Sequence, residues 1–365
     1  MADMTHIERV MAGLTKAPGD RLPVYPIACG VNRTLIGKGG VTYREWAHDP
    51  KLYAQGFIEG QKKYDYDLLV GLMDLSVMAG DLGAGVRFDE QNTPFVDAPI
   101  INDPEDYEKL EVPDVKKGRS AVLIKGTKLY CDALNKTVIT AGFVEGPLLA
   151  LTQTAGAERV FMDMFSNPSA VHKALKTMTE FDVELTKGFG QTGCAGLCWD
   201  YLWGNYSCLG DAEYEEFEGC KKYAMGLNEL TIKEGMAVAI HNCADLPHLD
   251  TQITKFKASI YSMAYYPLIP GSLSASEVIA GGYCDNCLVG GNLDPQLFIR
   301  GSVDQITNAT KNLCQEVKTA LCKRGIDSPR YVIASGCEVP PDINTKQENI
   351  MAMVQTGKKY GKFDK

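Results

Sequence analysis

The sequence predicts an α/β fold: a closed (β/α)8 barrel of the TIM type, formed as one domain over residues 1–365. Three observations lead there. Eight short apolar runs, each of strand length, alternate with helical patterns from one end of the chain to the other. Such alternation implies a parallel sheet covered by helices, and eight units favour closure into a barrel. No GxGxxG follows the first run, which weakens the alternative, a doubly wound open sheet binding a dinucleotide.

Residues 5–17 form a helical extension ahead of the barrel, with Ile7, Val10, Met11 and Leu14 as its apolar stripe. RLPVYPIACG is the first strand, entered at Pro23 and closed by Gly30. A helix over 50–63 and a strand over 67–71 (DLLVG) follow. Gly, Pro, Asp and Asn crowd the stretch from Asp81 to Asp114, so a loop and hairpin insertion is placed near 75–118. Residues 118–134 read as helix and 136–143 as strand. Two short helices, GPLLALTQTAG and ERVFMDMF, precede a long one beginning at Pro168 and ended by Gly. AGLCWDY (195–201) is a strand, and one long helix is expected from about 211. AVAIH is the next strand, followed by a helix LPHLDTQITKF in which Asp245 is the N-cap and Pro247 lies in the first turn. Strands at 258–265, 287–292 and 330–335, with helices between them and a last helix over about 345–360, complete the barrel.

The 365 residues are 45% hydrophobic and 23% charged, ordinary for a globular enzyme. A net charge of −9 and the lack of a basic stripe argue against nucleic acid as a partner. No apolar run approaches the roughly 20 residues that span a bilayer, and the N-terminus shows no secretory signal. A cytoplasmic protein is expected. The 12 cysteines form no short regular framework, so most should be reduced core residues.

The chemistry gathers around AVAIHNCADLPHLD. The apolar run Ala237 to Ile240 stops at His241, and Cys243 follows two positions on. Far along the chain another apolar run, Tyr331 to Ala334, ends just before Cys337. Barrel active sites form where strands end at their C-termini, so all three face one mouth. One imidazole and two thiolates suit zinc, and three protein ligands with an open fourth position mark a catalytic rather than a structural site. Asp200 ends another strand and is placed to orient a ligand or assist at the metal; Asn292 ends a further one and is assigned to substrate. The cluster WDYLWGNY supplies Trp199, Tyr201, Trp203 and Tyr206, either as packing or as an apolar wall for a flat substrate. The C-x-x-C of residues 284–287 opens a buried strand and has no second pair, so a structural role is assigned to it.

These residues resemble the uroporphyrinogen decarboxylase superfamily, within its corrinoid-dependent methyltransferase branch, which includes the methylcobamide:coenzyme M methyltransferases of methanogens. The resemblance covers nearly the whole chain. It rests on His241-x-Cys243, the Ser-Gly-Cys of 335–337, the Glu-Gly-Pro of 145–147 and GGNLDPQLFIRGS at 290–302. It implies a (β/α)8 barrel, catalytic zinc on His241, Cys243 and Cys337, and a corrinoid (cobalamin) carried by a partner protein. The other partner is a small methyl donor or thiol acceptor, and the chain is compatible with a homodimer. The sequence departs from the coenzyme M enzymes where substrate should lie. Cys243-Ala244-Asp245 replaces their Cys-Gly-Asn, and WDYLWGNY stands where they have Asp-Pro and Ser-Pro landmarks. The zinc ligands thus resemble the thiol class, while the aromatic cluster points to methoxylated aromatics, as in O-demethylase systems. The two-Glu, one-His pattern of those demethylases is not found.

Two other functions fit the sequence less well. A metal-free decarboxylase acting on a tetrapyrrole needs clustered arginines for carboxylates; Arg33, Arg87 and Arg300 are scattered in sequence. A non-catalytic corrinoid carrier needs an Asp-x-His-x-x-Gly motif that the chain lacks.

Overall fold

In the computed structural model, which describes residues 3–363, eight parallel strands curl into a nearly closed barrel. The strands are β1 (Val24–Tyr25), β2 (Leu68–Gly71), β3 (Ile139–Glu145), β4 (Gly196–Asp200), β5 (Ala237–Asn242), β6 (Ile260–Met263), β7 (Leu288–Leu293) and β8 (Tyr331–Ser335). Every strand from β2 to β8 pairs with its successor, and β8 returns to β1. Register places the ends of β3, β4 and β5 side by side: Glu145 opposite Asp200, and Asp200 opposite His241.

The seam between β1 and β2 closes largely through side chains. The first strand is far shorter than its apolar run because Pro23 and Pro26 flank it and neither offers an N–H to a ladder. The Tyr25 hydroxyl substitutes: it donates to the Val70 carbonyl at 3.2 Å and accepts from the Val70 N–H at 3.0 Å. Below it, buried Asp67 accepts from the Val24 N–H at 2.7 Å and pairs with Arg9, Arg21 and His6. Burial alone would raise the Asp67 pKa, but His6 and the two guanidiniums hold it well below the usual carboxylate range. This network also ties the first helix, His6–Thr15, across the N-terminal end of the barrel.

The insertion contains an antiparallel hairpin, Gly85–Arg87 with Phe95–Ala98. Two expectations need correction. The long helix from 211 is broken: a first turn (Asp211–Tyr214) and a π-helical turn (Glu215–Gly219) end at an extended Cys220, and helix resumes over Ala224–Lys233. The break places Phe217 in a stack on His172, 4.7 Å between ring centres, while Tyr223 reaches the same His with its hydroxyl at 2.8 Å. The helix after β5 does not start at Asp245. Leu246 is left-handed, with φ 42°, Pro247 forms a bridge with Asn205, and only Asp250–Lys255 coil, as a π-helical turn. Asp245 instead accepts from the Ser207 hydroxyl at 2.7 Å. A short helix, Tyr43–His48, lies in the stretch before residue 50. All 12 cysteines are unpaired; Cys284 and Cys287 are buried and give their carbonyls to the Arg330 guanidinium at 2.7 and 3.0 Å.

The barrel axis is only partly filled, by a small cluster of Phe143, Cys198 and Ala239 packed with Val70, Leu72 and Ile260. (β/α)8 barrels are normally packed by layers of bulky side chains; here small residues leave an apolar cavity of about 270 Å³ lined from all eight strands. Unfilled core volume of this order destabilises a fold by several kcal/mol.

Candidate metal and substrate site

The ligand atoms of His241, Cys243 and Cys337 lie within 4.8 Å of one another at the C-terminal end of the barrel, His241 buried and both cysteines half-buried. Backbone devices bring them there. His241 is the penultimate residue of β5, and its Nδ1 contacts the Ser262 hydroxyl of β6 at 3.0 Å, which fixes the ring and leaves Nε2 for the cluster. Asn242 turns the chain immediately afterwards. Its Oδ1 accepts from the Ala244 N–H at 3.0 Å, and its Nδ2 donates to the Tyr201 carbonyl at 2.8 Å, so Cys243 is held in a tight turn anchored to the end of β4.

Cys337 depends on Gly336. The Gly336 N–H donates to the Leu293 carbonyl at 2.8 Å, and a Cβ there would overlap the backbone of Ala264 and Tyr265. Only glycine lets the end of β8 cross so close to the end of β6. Ser335 completes the anchor by donating to the Pro26 carbonyl at 2.7 Å.

Electrostatically the cluster behaves as one unit. Hydrogen bonding from Cys243 holds the Cys337 thiol well below its ordinary pKa against the opposing effect of burial, with His241 assisting. Cys243 is pushed up by that same contact and by burial. For His241, burial works downward, yet the Cys337 sulfur and Asp200 leave it raised. These directions favour the charged forms of Cys337 and His241 and the neutral form of Cys243.

Buried carboxyls surround it. Burial pushes Asp200 up to about 7, opposed by His241 and reinforced by Cys337, and its Oδ1 makes no hydrogen bond among the described residues. Glu338 is pushed up to about 8 by burial, although it accepts from the Gly30 N–H at 2.7 Å. Glu145, at the end of β3, is raised by burial and by nearby Asp74, and its Oε2 is likewise without a partner. Asp74 itself is paired with Arg119. None of Glu145, Glu338, Asn242 or Ser262 was singled out as a site residue from the sequence, although Glu145, Asn242 and Glu338 each stand at or beside a predicted strand end.

The aromatic cluster does not form one wall. Trp199 and Tyr201 are fully buried and face the helix layer. The Trp199 indole donates to Thr231 at 3.1 Å and the Tyr201 hydroxyl to Asn228 at 3.1 Å. They follow the outward phase of β4, and Asp200 between them takes the inward one. Trp203 donates to Thr152 at 2.8 Å and packs edge-on against Phe161. Tyr206 is exposed: it covers His248 and lines a pocket of about 240 Å³ beside the Ala244–Asp250 loop, together with Tyr265 and Tyr283. Asn292 also departs from its expected role. Its Nδ2 donates to the Ala264 carbonyl at 3.0 Å and its Oδ1 accepts from Tyr331, so its amide ties β7 to β6 and β8.

Fold and site together define a class: a (β/α)8 protein with one imidazole and two sulfurs converging at the mouth of its barrel. The chain belongs to the uroporphyrinogen decarboxylase (URO-D) family, whose pattern it matches over residues 5–360. It is 20% identical over 364 residues to the methylcobamide:CoM methyltransferase MtbA of Methanosarcina acetivorans, with 99% of each chain covered. It is 22% identical, at the same coverage, to MtbA of Methanosarcina mazei. Among solved structures it resembles a methyltransferase from Methanosarcina mazei, with TM-score 0.79, 18% identity, and 98% of this chain and 99% of the other covered. Among the described residues no helix is long and apolar enough to cross a membrane.

Proposed function

We propose that this chain is a zinc-dependent methyltransferase that moves a methyl group between the cobalt of a corrinoid on a partner protein and a small substrate held beside His241, Cys243 and Cys337. The supporting observation is the meeting of those three side chains, from two strands remote in sequence, within 4.8 Å. The donor set fits the ion: tetrahedral zinc with bonds of about 2.0–2.3 Å places its ligands about 3.3–3.8 Å apart, within the 4.8 Å that bounds the present spacing. The names borne by the relatives support the methyl-transfer chemistry.

Zinc bound there would act as a Lewis acid, holding a thiol as thiolate or drawing electron density from a methylated heteroatom. The protein does the rest. Ser262 fixes the His241 ring. Asp200, buried beside His241 with one oxygen that makes no hydrogen bond among the described residues, is the group placed to handle a proton. The corrinoid would supply a cobalt-bound methyl group and would keep the bonding electron pair as sulfur takes the methyl, while Asp200 accepts the proton of a thiol acceptor. With a methylated donor the same proton moves the other way. Tyr206 and its pocket flank the approach, and the corrinoid protein docks on the face bearing Cys243 and Cys337.

The tetrapyrrole decarboxylase reading gains no support from arginine placement. Arg33 is buried against Glu90, whereas Arg87 and Arg300 are exposed on separate segments. Metal analysis of the purified protein tests the proposal: about one zinc per chain, lost in Cys337→Ala, together with methyl transfer from methylcobalamin to a thiol or from a methoxybenzene to Co(I) cobalamin. Zinc-free protein active in neither assay overturns it.

A further inference from the structure

The hollow barrel axis is the feature that a stable fold alone does not explain. Small residues, among them Ala141, Gly196, Cys198, Ala239, Gly290 and Ala334, take part of its lining, beside bulkier ones such as Phe143 and Ile260. The resulting cavity ends at Met11 and Leu14 across the N-terminal side and at His241 and Glu338 on the other, so it opens directly beneath the proposed reacting centre. Its polar groups are few and mostly engaged: the Tyr25 hydroxyl with Val70, the Ser262 hydroxyl with His241, and the Glu338 carboxyl with the Gly30 N–H. Apolar cavities stay dry and take apolar guests; one of roughly 150 Å³ accepts benzene, and this one is about 270 Å³.

The rim argues in the same direction. Asp74, Glu145, Asp200 and Glu338 are all buried or nearly so, and the guanidiniums among them, Arg33 and Arg119, are paired with Glu90 and Asp74. A sulfonate or carboxylate at the substrate end remote from the reacting heteroatom would meet these carboxyls, and among the described residues both guanidiniums of the rim already carry a carboxylate partner.

We propose that the barrel axis is a binding channel for the apolar body of the substrate, an uncharged thiol or methyl ether carrying an alkyl chain or a single aromatic ring, with its heteroatom at His241, Cys243 and Cys337. The identity of the reacting heteroatom rests on the methyl-transfer reading; the channel does not.

Two measurements separate these claims. In zinc-free wild-type protein, benzene should raise the melting temperature and shift NMR signals of methyl groups lining the axis. Ala239→Phe and, independently, Ala141→Leu should abolish both responses. In the zinc-loaded protein with methylcobalamin, phenylmethanethiol should exceed 2-mercaptoethanesulfonate by at least tenfold in kcat/KM. Whichever filling variant folds should erase that preference with zinc content unchanged. Failure of benzene to bind the wild type, or a preference for the sulfonate, overturns the channel. Benzene binding without transfer to either thiol overturns the methyl-transfer reading and leaves the channel standing.

Discussion

A single methyl group is too many at position 336. The end of β8 crosses the backbone of Ala264 and Tyr265 so closely that Gly336→Ala must displace one of the two chains, and Cys337 follows immediately. The expected outcome is a folded barrel whose metal affinity falls by at least tenfold, measured by competition with a chromogenic chelator; wild-type affinity would show that the crossing does not position the thiol. Asn242 works at the same scale. Removing its side chain in Asn242→Ala leaves the Ala244 N–H and the Tyr201 carbonyl without that partner, and an effect of about 1–3 kcal/mol on stability is expected, read as a shift in the denaturant midpoint. His241, Cys243 and Cys337 were legible in the sequence because each stands just after a short apolar run, where a barrel presents its chemistry. Their supports were not. Ser262, Gly336 and Asn242 act through partners on other strands, and no spacing along the chain encodes those. Trp199 and Tyr201 misled for a related reason: strand alternation sends Asp200 inward and its two aromatic neighbours outward, a phase that composition alone does not give.

At the scale of elements, helix periodicity identified where segments lie better than how they end. Residues 118–134 form one helix as the pattern implies, with Gly118–Leu134 helical. Residues 211–235 do not, because tertiary contacts around His172 reward a break at Cys220. The π-helical turn before that break buries Glu218 with neither carboxyl oxygen bonded among the described residues, and burial pushes it up to about 8. The sign of its effect is fixed. Above about pH 4.3 an unfolded Glu has released its proton, while the folded one keeps it until about pH 8. The unfolded state therefore binds fewer protons, and stability falls as pH rises through that window. Asp200 and Glu338 contribute slopes of the same sign, so Glu218→Gln should make the slope shallower and raise stability at pH 8 by a few kcal/mol, as followed by urea denaturation at pH 5, 6.5 and 8. An unchanged slope would show that Glu218 is charged or solvated in the folded protein.

For the whole molecule, the barrel was legible because eight apolar runs and their intervening helices leave few other parallel architectures. The first strand was the least legible part. Its prolines withhold ladder bonds, and the seam relies on Tyr25 and the Asp67 network. Asp67 has a depressed pKa in the folded state, so its contribution is present above the unfolded carboxylate value near 4 and is lost as pH falls below it. Asp67→Asn should destabilise the protein at pH 7 by about 3–5 kcal/mol, as expected for a buried ion-pair network that loses one charge, with the difference shrinking in acid; a uniform loss at every pH would point to packing instead. The hollow axis was not read from the sequence, because a small residue in a strand is informative only once its inward phase is known.

The proposed chemistry turns on what His241, Cys243 and Cys337 bind together. X-ray absorption at the zinc edge measures that directly. The prediction is one zinc per chain with two sulfurs at about 2.3 Å, one nitrogen at about 2.0–2.1 Å and a fourth light atom that sulfur replaces when a thiol substrate is added. Protein without zinc, or zinc in a shell of nitrogen and oxygen alone, would contradict it.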